Sequence, residues 1–321
     1  MNSLKEILKG VKTAAISGHV RPDGDCTGSC LATYNYIKEN YPDISVDLYL
    51  EPVPNIFKFL KNSGDIISDC SQDKVYDIFF AQDCSDSERL GEAGKYFCAA
   101  KKTVCIDHHK SNLEFADVNY IFPDASSTSE LVYNLMEESK ISKAVAECIY
   151  LGIIHDTGVF QYSCTSSKTM QIAGKLMDKG IDYPAIVNDT FFTKTYEQIR
   201  IFGQAMLKSQ RYLNDTCIYT VITKDEMEQF GVLPKHLEGI VSQLRSVKGI
   251  EAAIFLYQNE KDNYKVSLRS GNLVDVSEVA QKFGGGGHAK AAGITMHGEA
   301  GQIRELLLKE IQLQLENRIH V

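Results

Sequence analysis

Several features that mark other protein classes are missing from this sequence. No apolar stretch approaches the ~20 residues of a membrane span, and residues 1–6 lack the apolar core of a signal peptide. The nine cysteines are an odd number without paired ligand spacing, which argues against a disulfide framework and a structural zinc site. These absences predict a soluble, cytoplasmic protein with reduced thiols.

Positive charge is also scarce. The formal net charge is −8, and residues 211–321 carry 13 Lys and Arg against 14 Asp and Glu. A protein that binds long nucleic acid usually has a basic stripe, because affinity grows with the number of phosphates neutralised. The sequence therefore predicts a ligand with few phosphates, such as a short single-stranded oligonucleotide or a nucleotide, and no long duplex.

The 321 residues, 44% of them hydrophobic, are enough for two domains with proper cores. Strand patterns alternate with helical patterns in the first part, which predicts an α/β fold with a parallel sheet. The strands are expected near 12–18, 44–50, 76–82 and 102–106, and the helices near 27–40, 86–99, 127–138 and 142–155. Ser127-x-x-Glu130 has the pattern of a capping box at the start of one helix.

Helical patterns continue through 167–179 and 195–209 and lead to a smaller α/β unit. Its strands are expected near 216–222, 250–258, 263–269 and 291–296, with a capping box at Thr223-x-x-Glu226 and a closing helix over 300–317. The predicted domains are 1–185, a helical linker over 186–210, and 211–321.

Four apolar segments each run into Asp or His. Thr103–Ile106 is followed by the triplet Asp107-His108-His109, and the other three segments end near 18, 82 and 154. A lone Asp after a strand is more often a helix cap or a turn residue. Four such segments together favour an active site, which in open α/β sheets lies at the carboxyl ends of the strands. The predicted metal ligands are His19, Asp23, Asp25, Asp83, His108 and Asp156.

This mixed nitrogen and oxygen set has more donors than one small divalent ion needs. Two ions about 3.5–4 Å apart, sharing a carboxylate, are the standard apparatus for in-line attack on phosphorus. Imidazole with several carboxylates suits Mn²⁺, with Mg²⁺, Co²⁺ and Zn²⁺ left open. The set predicts a two-metal phosphoesterase.

A glycine run, Gly284–Gly287, stands before His288. Main-chain N–H groups of such a loop can cradle an anion. A flexible linker is the alternative, but the strand-like segment 291–296 that follows makes a linker the weaker interpretation.

The order and spacing of His19-x-x-x-Asp23-x-Asp25, Asp83, Asp107-His108-His109 and Asp156 resemble those of the DHH phosphoesterases over nearly the whole chain. The resemblance implies that His19, Asp23 and Asp83 bind one metal, and that Asp25, Asp83, His108 and Asp156 bind the other. It gives catalytic roles to His109, facing the substrate phosphate, and to Asp107, supporting the site from behind. A loop-ordering carboxylate is the alternative for Asp107, and a partly buried, hydrogen-bonded side chain is favoured for His155.

The glycine segment is similar to the Gly-Gly-Gly-His motif of the DHHA1 domain, which in that family binds the nucleotide portion of the substrate. The active site is accordingly expected between the two domains. The implied substrate-binding residues are Arg269, Gly285, Gly286, Gly287, His288 and, more weakly, Arg245. An exposed strand-end arginine is the alternative for Arg269, and a solvated loop is the alternative for Arg245.

The implied substrates are oligoribonucleotides of about 2–5 nucleotides, cleaved to mononucleotides, and 3′-phosphoadenosine 5′-phosphate. Two alternatives remain at this stage. One is a phosphodiesterase that cleaves the linear dinucleotide pApA or pGpG in cyclic dinucleotide turnover. The other is a catalytically silent nucleotide-binding regulator, which loss of ligands would mark. A homodimer is left open.

Overall fold

The computed structural model describes residues 3–319. The chain forms two compact units, of which the first ends at Thr193 and the second begins at Lys194. The first unit contains a five-stranded parallel sheet with the strand order β2-β1-β3-β4-β5. Its strands are β1 Thr13–Ser17, β2 Ser45–Tyr49, β3 Ile78–Gln82, β4 Thr103–Asp107 and β5 Val118–Ile121. The order reverses between β1 and β3, the place where open α/β sheets bind their ligands.

Helices cover both faces of this sheet, as a parallel sheet requires. Ile16 and Phe80 point into the core on one face, whereas their neighbours Ala15 and Phe79 belong to a core on the other face. The helices of this unit are α1 Leu4–Ile7, α2 Gly24–Asn40, α3 Gly94–Ala99, α4 Thr128–Leu135, α5 Lys143–Asp156, α6 Ser167–Met177 and α7 Tyr183–Val187. A π-helical turn, Asn188–Phe192, follows α7.

Two glycines let α2 and α5 approach closely. A Cβ on Gly28 would lie 2.5 Å from the Cys148 carbonyl oxygen and 2.9 Å from the Gly152 nitrogen. A Cβ on Gly152 would lie 2.6 Å from Oδ1 of Asp25. The start of α2 is therefore held against α5, which ends on Asp156.

The second unit has a mixed six-stranded sheet with the order β10-β11-β9-β8-β7-β6. Among the described strands of this sheet, only β7 and β8 pair in parallel. The strands are β6 Gln210–Tyr212, β7 Cys217–Ile222, β8 Ala252–Glu260, β9 Asn263–Ser270, β10 Gly286–His288 and β11 Ala291–His297. The helices are α8 Tyr196–Leu207, α9 Lys224–Phe230, α10 Ile240–Arg245, α11 Val276–Lys282 and α12 Ala300–Ile319.

Residues of α8, α9 and α10 pack in one core of this unit, while α11 and α12 pack in the other. The segment 186–210, predicted as a linker, includes all of α8, whose Ile201 and Ala205 are buried in the first of these cores. The apolar face of α8 explains this packing, because the side chains four residues apart lie on one side of the helix.

The α/β class with a parallel first sheet is confirmed, but several local predictions differ from the structure. The short strands β5, β6 and β10 were not expected. The helix predicted over 86–99 is split into a 3₁₀ segment, Glu88–Ala93, and the short α3, because Gly91 has a left-handed φ of 56°. Helix α2 begins at Gly24, since the Asp23 side chain accepts hydrogen bonds from the N–H groups of Asp25 and Cys26.

The capping box at Thr223 and Glu226 is present. At Ser127 only half of the box forms. The Ser127 hydroxyl accepts from the Glu130 N–H, but the Glu130 carboxylate accepts from the hydroxyls of Ser126 and Thr169 instead of bonding back to Ser127. Within the described part of the chain, none of the helices combines the length and apolar character needed to cross a membrane.

Candidate active site

The ends of three strands and two helices bring the predicted ligands together. His19 follows β1, Asp83 follows β3 directly, and β4 ends on Asp107 with His108 and His109 after it. Asp23 and Asp25 lie at the start of α2, and Asp156 is the last residue of α5. The expectation that these side chains converge at the carboxyl edge of the sheet therefore agrees with the geometry.

Asp83 lies at the centre of the cluster and contacts His19 and His108 with different oxygens. Its Oδ2 lies 3.5 Å from His19 Nε2, while its Oδ1 lies 3.6 Å from His108 Nε2. The residue is 2% exposed and has a left-handed φ of 56°, a conformation that Asp tolerates better than most residues. This backbone turn directs the carboxylate between the two imidazoles.

The remaining carboxylates divide between the two histidines. His19 Nε2 lies 3.6 Å from Asp23 Oδ2. His108 Nε2 lies 3.0 Å from Asp156 Oδ2 and 4.0 Å from Asp25 Oδ2. Two groups of donors thus share Asp83, and this division matches the one that the family resemblance implies.

Helix α4 holds Asp25 in place. The backbone N–H of Thr128 donates to Asp25 Oδ2 at 2.6 Å, and the N–H of Ser129 donates to Oδ1 at 2.9 Å. These are orphan donors of the first helical turn, which favour a negative charge. The Thr128 hydroxyl also donates to Asp83 Oδ1 at 3.1 Å. Sequence reasoning missed Thr128 and Ser129, although the Ser127 cap marked the start of the helix.

Asp107 and Asn112 orient His109. Asp107 is fully buried, with Oδ1 2.7 Å from His109 Nδ1 and Oδ2 accepting a 2.7 Å hydrogen bond from the Asn112 amide. Burial alone would raise the pKa of Asp107, but these hydrogen bonds outweigh it and lower that pKa. The hydrogen bond from His109 in turn raises the pKa of that imidazole. Asn112 was not identified from the sequence.

The cluster has an excess of negative charge. Burial raises the pKa of Asp25 well above its usual value, and the neighbouring charges of Asp83 and Asp156 raise it further. Burial also raises the pKa of Asp156. Burial would lower the pKa of His108, but Asp156, Asp25 and Asp83 raise it to about 10. For His19, Asp23 and Asp83 likewise overcome burial and raise the pKa to about 11.

Across residues 3–319, the aspartates of the cluster form no ion pair with Lys or Arg. They are Asp23, Asp25, Asp83, Asp107 and Asp156. Buried carboxylates normally require a positive partner. A donor set of carboxylates and imidazoles that lacks Lys and Arg fits divalent metal ions. Three groups with metal-ligand spacing overlap here: Asp25, His108 and Asp156; Asp83, His108 and His109; and His19, Cys26 and Asp83.

His155 has a structural environment. Its ring packs edge-on against Phe57 and Phe191, and its Nε2 lies 3.2 Å from the Thr190 hydroxyl. Burial lowers the pKa of His155 to about 4. A Cβ on Gly24 would lie 2.2 Å from the ring, so glycine there makes room for this histidine.

In the second unit, the glycine run closes a helix and begins a hairpin. Gly284 has a φ of 74°, and the N–H of Gly285 bonds to the Ala280 carbonyl, which ends α11. Gly286, Gly287 and His288 then form β10, which pairs antiparallel with β11. A flexible linker is thereby excluded.

The strand register aligns two of the predicted substrate-binding residues. Ala291 pairs with His288 on one side and with Arg269 on the other, so the side chains of His288 and Arg269 share a face of the sheet. Arg269 is partly buried and also donates to the Leu268 carbonyl. Arg245 does not belong to these paired strand residues. Its Nη2 lies next to Gly271.

The four glycines of the run differ in whether the fold requires a glycine at their position. A Cβ on Gly285 would lie 2.4 Å from the Gly293 carbonyl oxygen, and one on Gly287 would lie 2.4 Å from that of Ala291. Gly286 has open space around it and no left-handed φ. The fold itself therefore explains Gly284, Gly285 and Gly287, but it does not explain Gly286.

Both parts of the chain match known domains. Residues 13–153 match the DHH family, N-terminal domain, and residues 214–317 match the DHHA1 domain. The bifunctional oligoribonuclease and PAP phosphatase NrnA of Bacillus subtilis is 28% identical over 290 residues, covering 89% of this chain and 90% of the relative. The protein MG371 of Mycoplasma genitalium is 30% identical over 302 residues, covering 90% and 88%.

A solved structure shares the whole fold. The exopolyphosphatase-related protein from Bacteroides fragilis superimposes with a TM-score of 0.86 at 27% identity, covering 97% of this chain and 96% of that one. The similarity spans both units.

Proposed function

Because the chain belongs to the DHH family of phosphoesterases, we propose that it is a two-metal hydrolase of short oligoribonucleotides and of 3′-phosphoadenosine 5′-phosphate. The observation that carries this proposal is the position of Asp83, whose two oxygens face two separate histidine and carboxylate groups. Metal dependence is a property of the family. The number of ions and the preference for Mn²⁺ are our proposals, drawn from the donor set.

The proposed ligand sets are His19, Asp23 and Asp83 for one ion, and Asp25, Asp83, His108 and Asp156 for the other. When bound, the ions would supply an activated water and neutralise charge on the phosphoryl oxygens. The N–H groups of Thr128 and Ser129 keep the Asp25 carboxylate oriented. The Thr128 hydroxyl does the same for Asp83.

His109 is the proposed acid at the phosphoryl group. Asp107 holds its Nδ1, which fixes the ring orientation and raises the pKa of the imidazole, so that the protonated form is favoured. A protonated ring can donate a hydrogen bond to an oxygen on which negative charge develops. In the second unit, Arg269, His288 and the N–H groups of Gly285–Gly287 are proposed to hold the rest of the substrate, with Arg245 supporting the segment near Gly271.

The preference for short substrates rests on charge. The net charge of −8 offers no attraction for a long polyanion. The names of the relatives, oligoribonuclease and PAP phosphatase, support substrates with few phosphates. A linear dinucleotide such as pApA or pGpG would be the shortest oligonucleotide of this class. A silent regulator is disfavoured, because all six metal-ligand positions are occupied by ligating side chains.

The test is a set of initial rates with Mn²⁺ on single-stranded RNA of about two to about twenty-four nucleotides and on 3′-phosphoadenosine 5′-phosphate. We expect kcat/KM to be highest at about two to five nucleotides, because further phosphates meet an acidic protein. Asp83→Asn, prepared in the same way, controls for contaminating nucleases. Processive degradation of the longest strands at equal or greater efficiency would contradict the proposal.

A further inference from the structure

A cavity of about 290 Å³ lies beside the metal cluster in the first unit. The carboxyl ends of β1 and β2 form two of its walls, through residues 17–20 and 49–52, and residues from the segments 67–70 and 90–93 form the others. His19 belongs both to this wall and to the cluster around Asp83. A group bound in the cavity would therefore lie next to the reacting phosphate of the proposed function.

The chemistry of the walls disfavours a phosphate as the occupant. None of the residues that line the cavity is Lys or Arg. Its polar side chains include the carboxylates of Glu51 and Glu92, which would repel an anion. Val20, Leu50 and Leu90 supply apolar surface. Apolar walls with a few hydrogen-bond acceptors suit a flat, uncharged group that carries N–H donors.

Contacts within the protein hold two of the walls in place. The Tyr49 ring stacks on Tyr96 with a centroid distance of 4.5 Å, and its hydroxyl lies 2.6 Å from that of Tyr76. Opposite, the N–H of Val20 donates to the Arg89 carbonyl at 2.8 Å, which fastens the 3₁₀ segment to the end of β1. The cavity is thus formed before a ligand arrives, and binding requires little ordering of the protein.

The carboxylates of Glu51 and Glu92 differ in their hydrogen bonding within the protein. Glu51 Oε2 accepts a 2.7 Å hydrogen bond from the N–H of Arg21, which fixes its position. Glu92 is exposed and has no hydrogen-bond partner among residues 3–319. Glu92 is therefore the carboxylate with both oxygens available to a ligand.

From these observations we infer that the cavity binds one nucleobase of the substrate and that Glu92 selects bases with an exocyclic amino group. The volume, at the lower end of the ~300–1,000 Å³ usual for ligand sites, suits one base with its sugar better than a dinucleotide. A carboxylate accepts a hydrogen bond from an amino group such as N4 of cytosine. Adenine and guanine also carry an amino group, whereas uracil presents a carbonyl oxygen in its place. This inference rests on the proposed function.

The test compares the dinucleotides ApA, CpC, GpG and UpU with the wild type, Glu92→Gln and Glu88→Gln. Glu88 is an exposed acid of the same 3₁₀ segment that does not line the cavity, so its variant makes the same change of charge outside the site. We expect the wild type to prefer the amino-bearing dinucleotides over UpU by about tenfold in kcat/KM, the effect of one hydrogen bond to a charged group. Glu92→Gln should remove most of this preference, because its amide can also donate to the uracil oxygen, and Glu88→Gln should retain it.

Hydrolysis of bis(4-nitrophenyl) phosphate, which has no nucleobase, tests the proposed phosphoesterase function separately from the proposed base-binding cavity. Its rate should be the same in the wild type and in Glu88→Gln. Failure of the wild type to hydrolyse this diester and every dinucleotide would overturn the proposed function itself. Hydrolysis of all four dinucleotides with equal efficiency, or an unchanged preference in Glu92→Gln, would overturn the assignment of the cavity alone.

Discussion

The two units present their candidate functional groups in opposite ways. In the first unit His19, Asp25, Asp83 and Asp107 are at most 5% exposed, and backbone or side-chain hydrogen bonds fix the carboxylates. In the second unit Gly286, Gly287 and His288 are all exposed. The comparison indicates that the fold itself sets the geometry of the proposed metal ligands, whereas the glycine hairpin offers mainly backbone to a ligand. Substitutions in the first unit should therefore impair metal binding and turnover, and those in the hairpin should impair substrate binding.

The largest effect is expected for Asp83→Ala, which removes the donor shared by both groups. Turnover should fall by at least ~10³-fold, the scale expected when a positioned electrostatic element is lost. Asp83→Asn should lose activity too, although Asn also tolerates the left-handed backbone, so the loss comes from the charge and not from strain. Initial rates on a dinucleotide measure both variants, with Asp43→Ala, an exposed acid of the same unit, as the control. Near-normal rates in Asp83→Ala with unchanged metal content would contradict the role of Asp83.

The two histidines of the triplet should behave differently. His108 Nε2 faces three carboxylates of the cluster, so His108→Ala should lower metal occupancy. His109 is held by Asp107, so His109→Ala should retain the metals and lose mainly kcat, because the proposed interaction strengthens in the transition state. Metal content by mass spectrometry and steady-state rates are the two measurements. Equal loss of metal in both variants would contradict the separate roles proposed for His108 and His109.

A smaller effect, on metal affinity, is expected when Thr128 is replaced. Thr128→Val removes the hydroxyl that donates to Asp83 but keeps the backbone N–H that donates to Asp25. Loss of such a supporting hydrogen bond typically weakens metal affinity by about 10- to 100-fold. Thr128→Ser keeps the hydroxyl and is the matched control. Equal Mn²⁺ affinity of Thr128→Val and the wild type in a calorimetric titration would show that this contact is not needed.

The contacts of Thr128 also show what could not be predicted from the sequence. The convergence of the side chains after β1, β3 and β4 could be anticipated, because parallel strands deliver the residues at their carboxyl ends to one edge of the sheet. The contact between Asp25 and Thr128 spans 103 residues, and no local pattern encodes which carboxylate a helix start will face. The Ser127 cap identified the helix but not its partner. The split of segment 86–99 was missed for a related reason, since a Cβ on the left-handed Gly91 would lie 2.7 Å from the Val20 side chain, a neighbour that is distant in sequence.

The smallest effect on activity is expected for a substitution of Gly286, which tests the proposed role of the glycine hairpin in the second unit. Its site has room for a Cβ and no left-handed φ, so Gly286→Ala should leave the thermal unfolding temperature unchanged. If the backbone there contacts the substrate, the methyl group should raise KM severalfold with little change in metal content. Gly203→Ala, at an exposed glycine of α8 that also has open space, is the control. An unchanged KM in Gly286→Ala would show that the substrate does not approach this glycine.

The central claim is that one buried carboxylate joins two metal sites, and the number of Mn²⁺ ions bound per chain tests it most directly. Titration of the metal-free wild type, followed by calorimetry and by electron paramagnetic resonance, should give two ions per chain with a signal broadened by coupling between them. In Asp83→Ala the coupled signal should disappear. A single uncoupled ion in the wild type at saturating Mn²⁺ would contradict the account.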